Sequence, residues 1–294
     1  MSTPTAPTMR SSRIKRARAV EVIAKTITGA CLFFTIAITL SIIGVIVYRG
    51  AASISWEFLT AMPKSQMTAG GIWPAIWGTI TLTLGTAAFA VPVGIGAGIY
   101  LAEYAKRNIG TRVVRLSIAN MAGVPSIVYG LFGLALFVIA MKFGTSLLAG
   151  SLTLACLTLP VIIGATEESL RQVPRDLRQA SLALGATKLR TILRVVLPAA
   201  APGIVTGTIL GLSRAAGETA PIIFTAAAFF APMPNSPFDP VMALPYHLYI
   251  MATQAVKPAP AIVWGTAFVL VGGVASVGVL AAAWRSRQRS KLRW

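Results

Sequence analysis

Apolar residues in this chain run in long unbroken stretches, and only short polar segments separate them. Ile27 to Tyr48 is 22 residues without a charge, roughly 33 Å of helix, enough to cross a hydrocarbon core of about 30 Å. Comparable stretches run from about Pro74 to Tyr100, Leu116 to Ala140, Ser146 to Ala165, Pro202 to Phe230 and Ala261 to Trp284. The pattern predicts an all-α membrane protein of six transmembrane helices. It divides into a basic N-terminal tail (1–26), a first helix (27–48), a loop (49–73), a core of five helices (74–284) and a basic C-terminal tail (285–294). The first apolar run is longer than the core of a signal peptide and no small-residue cleavage site follows it, so it is read as a retained helix.

One segment departs from this pattern. Between residues 166 and 200, Leu170, Val173, Leu177, Ala180, Leu184, Leu189 and Leu193 fall at threes and fours among Glu167, Glu168, Arg171, Arg175, Asp176, Arg178, Lys188, Arg190 and Arg194. That is amphipathic helical spacing. Gly185 permits a turn between two short helices, and Pro198 and Pro202 are expected to stop the second before the next span. The predicted helix–turn–helix under the membrane suits either an interfacial segment on anionic lipid or a docking element for a cytoplasmic partner.

Composition changes the reading of the charge. The 294 residues include 26 Lys+Arg against 8 Asp+Glu, a net +18, which by itself suggests a polyanion partner. Only 12% of residues are charged, 55% are hydrophobic and the mean hydropathy is +0.75, so a soluble nucleic-acid binder is excluded. Of the 26 basic residues, 21 fall in the two tails and two intervening segments on one side. Four (Arg49, Lys64, Lys142, Lys257) fall on the other. The positive-inside rule then puts both termini in the cytoplasm and makes 51–73 and 231–260 external loops, expected to lie on the membrane surface. Cys31 and Cys156 sit in apolar runs, where neither a disulfide framework nor a metal site can be built from them. His247, the only histidine, falls in an external loop and reads as a surface or packing residue.

Arg214 is the basic residue that this rule leaves unexplained. It lies about 18 Å along the fifth span from Pro202, near the bilayer midplane, with Glu218 one turn on and able to pair with it. Buried charge there is costly and is a functional feature by default. Pro221 is expected to kink the helix beside the pair. Gly203, Gly207 and Gly211, like Gly94 and Gly98, offer small faces for close helix packing, while Pro92, Pro125, Pro160 and Pro221 interrupt four spans. No G-x-x-x-x-G-K-[ST] loop occurs and Glu218 is the only acid within the spans. The chain therefore neither cradles ATP nor carries a proton relay, and the energy for transport must come from elsewhere.

These residues resemble a known family. Gln179-Ala180-Ser181, Gly185 and Val195-Val196-Leu197-Pro198 are similar to the EAA loop of bacterial ABC-importer permeases, with Gln179 and Ser181 in place of the usual Glu and Ala. Ser213 to Ala226, containing Arg214-Ala215-Ala216-Gly217-Glu218-Thr219-Ala220-Pro221, resembles the PstA group of phosphate-importer permeases. Val124 to Gly133, Ala69 to Ile76, and Ala243-Leu244-Pro245 with Tyr249 resemble the same group.

The resemblance implies a MetI-like type I importer fold in a bacterial inner membrane. It implies a PstC-like second permease, a PstB-like ATPase dimer that uses ATP and Mg, and a PstS-like phosphate-binding protein. The chain itself would be a transporter subunit without enzymatic activity or bound cofactor. Arg214, Glu218 and Thr219 would line the phosphate path. Gln179, Ala180, Ser181, Leu184, Gly185 and Pro198 would couple it to the ATPase, Gly203, Gly207 and Gly211 would pack helices, and Pro221 would act as a hinge. A related oxyanion importer (phosphonate, sulfate or molybdate) and a self-sufficient secondary anion transporter are the alternatives.

Overall fold

The computed structural model describes residues 8–64, 69–106, 108–254 and 259–291. Arg107, Lys257 and the outermost residues of both basic tails, all counted above toward orientation, lie outside the described residues. In chain order the elements are α1 (Thr8–Ala51), α2 (Trp56–Thr60), β1 (Pro63–Lys64), β2 (Ala69–Gly70), α3 (Trp73–Ile99), α4 (Ile109–Ala122), α5 (Ser126–Gly133) and α6 (Leu147–Arg171). There follow α7 (Arg175–Ala183), α8 (Lys188–Thr191), α9 (Leu197–Ala216), α10 (Ala220–Thr225), α11 (Leu244–Thr253) and α12 (Pro260–Lys291). Wider π turns extend α3 through Tyr104 and α5 through Ala140, and join α8 to α9 over Ile192–Val196.

Five of the described helices are long and apolar enough to cross a membrane, and the third predicted span in chain order is not one straight helix. Over Leu116 to Ala140 the chain forms α4 and α5, bent by 103° at Gly123–Pro125. Proline disfavours helical geometry in the residue before it and cannot donate a backbone hydrogen bond. The Tyr129 hydroxyl donates at 2.9 Å to the Met121 carbonyl, which also accepts from the Val124 amide at 3.1 Å, and so ties α5 to the end of α4.

The predicted fifth span, Pro202 to Phe230, is also divided. Helix α9 ends at Ala216, the chain breaks over Gly217–Thr219, and Pro221 stands in the first turn of α10, where a missing N–H costs nothing. Of the four prolines expected to interrupt spans, Pro125 and Pro221 begin new helices, whereas Pro92 and Pro160 lie inside the continuous α3 and α6.

The amphipathic segment is shorter than predicted. Helix α6 runs on to Arg171 and takes Glu167 and Glu168 with it. Pro198 and Pro202 do not stop the second short helix, because the π turn resets the hydrogen-bond register so that Pro198 falls in the first turn of α9. Lys188–Ala216 is consequently one rod of 29 residues, about 43 Å long.

Helix α6 packs on both α3 and α9, which also touch each other. A Cβ at Gly94 would stand 2.7 Å from Ile162, and one at Gly98 2.5 Å from Thr166. From α9, Gly203 and Gly207 lie directly on Ser169 and Ala165, while Gly211 has ordinary room, 3.5 Å to Ile162. Small residues thus let the two helices close on neighbouring faces of α6 that share Ile162.

Helix α1 starts at Thr8, so the described part of the N-terminal tail is continuous with the first span. It rests chiefly on α12, where Arg49 lies 5.1 Å over the Trp264 ring. The two loops predicted to lie on the membrane surface instead pack into the end of the bundle away from α7. Phe58, Ile72, Met242, Leu244 and Met251 form a buried apolar cluster there. His247 is buried beside Thr266, whose Oγ1 is 3.5 Å from its Nδ1, as expected of a packing residue. Asp239 accepts from the Asn235 and Ser236 amides and offers its carbonyl to Leu147 at the start of α6.

Candidate functional site: an ion pair in the bundle and a helical tip at its end

Arg214 occupies the last turn of α9, and its Nε lies 3.3 Å from Oε1 of Glu218, just past the break. Glu218 shares a small enclosed space with Leu154 of α6 and Thr79, Leu82 and Thr83 of α3. Leu154 is roughly 10 Å from the start of α6, within the middle of that helix's uncharged stretch, so the pair sits well inside the apolar thickness. The space is about 10 Å³, roughly room for one water molecule and far too little for an oxyanion.

The two partners are unequally enclosed. The Glu218 side chain is 16% exposed and that of Arg214 is 55% exposed. Leu210, one turn back on α9, is open as well, and α5 leaves Ile127, Val128, Leu131 and Phe132 open. Arg214 therefore stands at the edge of an uncovered apolar face, held by a single carboxylate.

The two segments that carried the resemblance meet at this site. A Cβ at Gly130 would stand 2.9 Å from Cα of Pro221, and α10 packs along α5. Thr219 is half-buried at the position before α10 and its side chain makes no capping bond there.

At the far end of the bundle, α7 and α8 form the predicted helix–turn–helix. Gly185 has φ +81°, a conformation costly for a side-chain-bearing residue. The tip is apolar and open: Leu184 is 89% exposed, and Leu182, Leu189 and Leu193 are exposed as well. Gln179 and Ala180 are also exposed. Ser181 bonds Thr191 across the turn, hydroxyl to hydroxyl, at 2.9 Å, so this departure from the family pattern stiffens the turn.

The segment is less basic in effect than its sequence. Arg171 pairs with Glu167 at 2.6 Å, as does Arg115 of α4 at 2.9 Å. Arg178 pairs with Glu103 at 2.9 Å, and Lys188 bonds the Glu103 carbonyl at 2.5 Å. Among the described residues of this segment, Arg175, Arg190 and Arg194 have no ion-pair partner. Glu103 was missed in the sequence because its partners lie 75 and 85 positions away. Its placement at the end of a span, in a chain with only 8 acids, was the one available signal.

A bundle with two broken spans, a charge pair beside one break and an amphipathic tip at one end defines an importer-type permease. The family model "Binding-protein-dependent transport system inner membrane component" matches residues 94–290, and the chain belongs to that family. It is 36% identical to the phosphate transport system permease protein PstA of Mycobacterium leprae over 249 residues, 83% of this chain and 81% of that protein. It is 35% identical to the probable ABC transporter permease protein YqgI of Bacillus subtilis over 269 residues, 87% and 91% of the two chains. In structure it resembles an inward-facing MetNI methionine ABC transporter (TM-score 0.60, 19% identity, 72% of this chain and 94% of that chain). It also resembles a bacterial ABC transporter involved in alginate import (TM-score 0.61, 15% identity, 94% and 99% covered). These two likenesses bear out the predicted MetI-like fold.

Proposed function

We propose that this chain is a permease subunit of an ATP-driven importer of inorganic phosphate and that Arg214 is its anion contact. The observation that carries the reading is the unequal pair: a guanidinium within the apolar thickness, more than half exposed and restrained by one carboxylate. A guanidinium keeps its charge when dehydrated and presents paired N–H groups that match phosphate oxygens. Glu218 competes with the anion for Arg214, which keeps the site weak enough to release it, and Thr219 supplies a neutral hydroxyl beside it. The kinship with proteins named PstA supports phosphate as the cargo.

The open apolar face around Arg214, Leu210 and α5 is the seat of a second, PstC-like permease subunit, which closes the path. The exposed tip from Gln179 to Leu189 docks on a PstB-like ATPase, and a PstS-like binding protein delivers phosphate at the opposite end. Both termini are then cytoplasmic. Gly185 gives the tip its shape, and the rod through Pro198 leads from it to Arg214, with Pro221 beyond the break as the hinge.

The test is uptake of radiolabelled phosphate by vesicles carrying the complete transporter. Arg214→Gln is expected to abolish uptake while the subunits still co-purify. Unchanged uptake removes Arg214 from the path, and competition by sulfate, molybdate or phosphonate at equal concentration replaces phosphate as the cargo.

A further inference from the structure

The helix–turn–helix is joined to the bundle by more than its chain connections. Both arms converge on the last turn of α3. From α7, Arg178 Nη2 bonds the Glu103 carboxylate at 2.9 Å. From α8, Lys188 Nζ bonds the Glu103 carbonyl at 2.5 Å and stands 4.6 Å over the Tyr104 ring. Arg178 also bonds the carbonyls of Leu170 at 2.6 Å and Val173 at 3.1 Å, which fastens the end of α6 to the same point.

The Glu103 side chain is only 11% exposed and that of Arg178 23%, so these are charge-assisted bonds in a partly dry setting, where they are strongest. Ile95, Ile99 and Ala102 of α3 pack beneath them on the Leu170, Val173 and Val196 cluster.

The other end of α3 reaches the ion-pair site. Thr79, Leu82 and Thr83 line the space beside Glu218, and Thr79 Oγ1 accepts from the Leu244 amide at 2.8 Å. Helix α3 is continuous between Trp73 and Tyr104, so displacement at one end reaches the other through a rigid element.

We infer that Glu103 is a positioning residue that passes motion of the helix–turn–helix into α3 and so to the wall of the Glu218 site, in parallel with the covalent route through the Lys188–Ala216 rod. This rests on the reading of the chain as an importer permease. It predicts that weakening the joint separates ATP hydrolysis from transport without preventing either docking or hydrolysis.

In the complete reconstituted transporter, Glu103→Gln is expected to leave subunit co-purification unchanged and ATP hydrolysis within about twofold. Phosphate imported per ATP should fall at least about fivefold, the low end of typical inter-site coupling. Lys188→Met should act in the same direction to a smaller degree. A ratio unchanged in both variants, or uptake and hydrolysis falling in proportion, overturns the inference.

A second readout needs no cargo. With Cys31→Ala and Cys156→Ala as background, spin labels at Leu84→Cys on α3 and Asp176→Cys at the exposed base of the tip report each element's shift on ATP binding. Glu103→Gln is expected to keep the tip shift and lose that of α3, and retention of both overturns the inference. Absence of phosphate uptake by the unmutated transporter, by contrast, sinks the phosphate reading and leaves this label measurement to decide.

Discussion

Two groups of charges meet the bundle in opposite ways. Arg214 has one partner, at 3.3 Å, and more than half of its side chain is open. At the other end of the molecule, Arg178 is engaged by one carboxylate and two carbonyls, and its acid partner is bonded again by Lys188. The difference separates a binding group from a strut. A guanidinium with a single partner can exchange that partner for an anion, whereas one whose two terminal nitrogens hold three partners on different elements fixes the relative positions of the elements it joins.

The sharpest way to break this contrast is to remove the one restraint on Arg214. Glu218→Gln is expected to lower KM for phosphate while cutting maximal uptake at least about tenfold, because an anion held without a competitor leaves slowly. Uptake measured across phosphate concentrations checks this, and an unchanged maximum would falsify the competing role.

A smaller effect is expected at the apolar tip. Gly185→Val forces a β-branched residue into a left-handed conformation at φ +81°, at about 1–2 kcal/mol. ATPase retained on the purified permease should fall by about tenfold, the change that 1.4 kcal/mol produces. A variant with full retention and full hydrolysis would remove the tip from the interface.

The packing between these two ends is tested by stability alone. Gly207→Leu pushes into Ala165 of α6 and should cost up to about 3 kcal/mol by overpacking. Gly211→Ala meets Ile162 and Val161 at 3.5 and 3.6 Å and should lie within about 0.5 kcal/mol of the parent. Thermal unfolding in detergent separates the two, and equal melting temperatures would deny the close α6–α9 approach.

An effect that is small at neutral pH and grows with acid is expected at His247, which lies outside the candidate spans. Burial pushes its imidazole down to about 4, below the unfolded value near 6.5. The unfolded chain therefore takes up the proton first. Stability conferred by the neutral ring is complete above about pH 6.5 and is lost as pH falls toward 4. Between pH 7 and pH 5 that amounts to about 2 kcal/mol. His247→Gln should melt with a flatter acid limb, and identical pH profiles would exclude the ring.

Much of the fold was legible from one-dimensional patterns. Long apolar runs give spans because backbone groups in hydrocarbon must be bonded within their own segment, and four of the six predicted runs appear as single helices, the other two as broken ones. The 3.6-residue spacing from Leu177 to Leu193 gave both short helices, and Gly185 their turn. The prolines were ambiguous: Pro92 and Pro202 lie within helices and Pro125 and Pro221 begin them. A proline's effect depends on whether a π turn or a helix start absorbs its missing N–H, and composition does not show that.

The sequence by itself determined that this chain lives in a membrane, that a helix–turn–helix interrupts its apolar runs, and that Arg214 and Glu218 fall close enough along the chain to pair. Each of these follows from interactions between residues within a few positions of one another. The tertiary structure alone decided that Arg214 stays open while Glu218 is enclosed, that the Val124–Gly133 and Ser213–Ala226 segments meet, and that Glu103 receives both arms of the tip. Those outcomes depend on contacts across tens of residues, where distance along the chain says nothing about distance in space. The same physics decided that glycines of α3 and of α9 both converge on α6, where Gly94 and Gly211 meet the same Ile162.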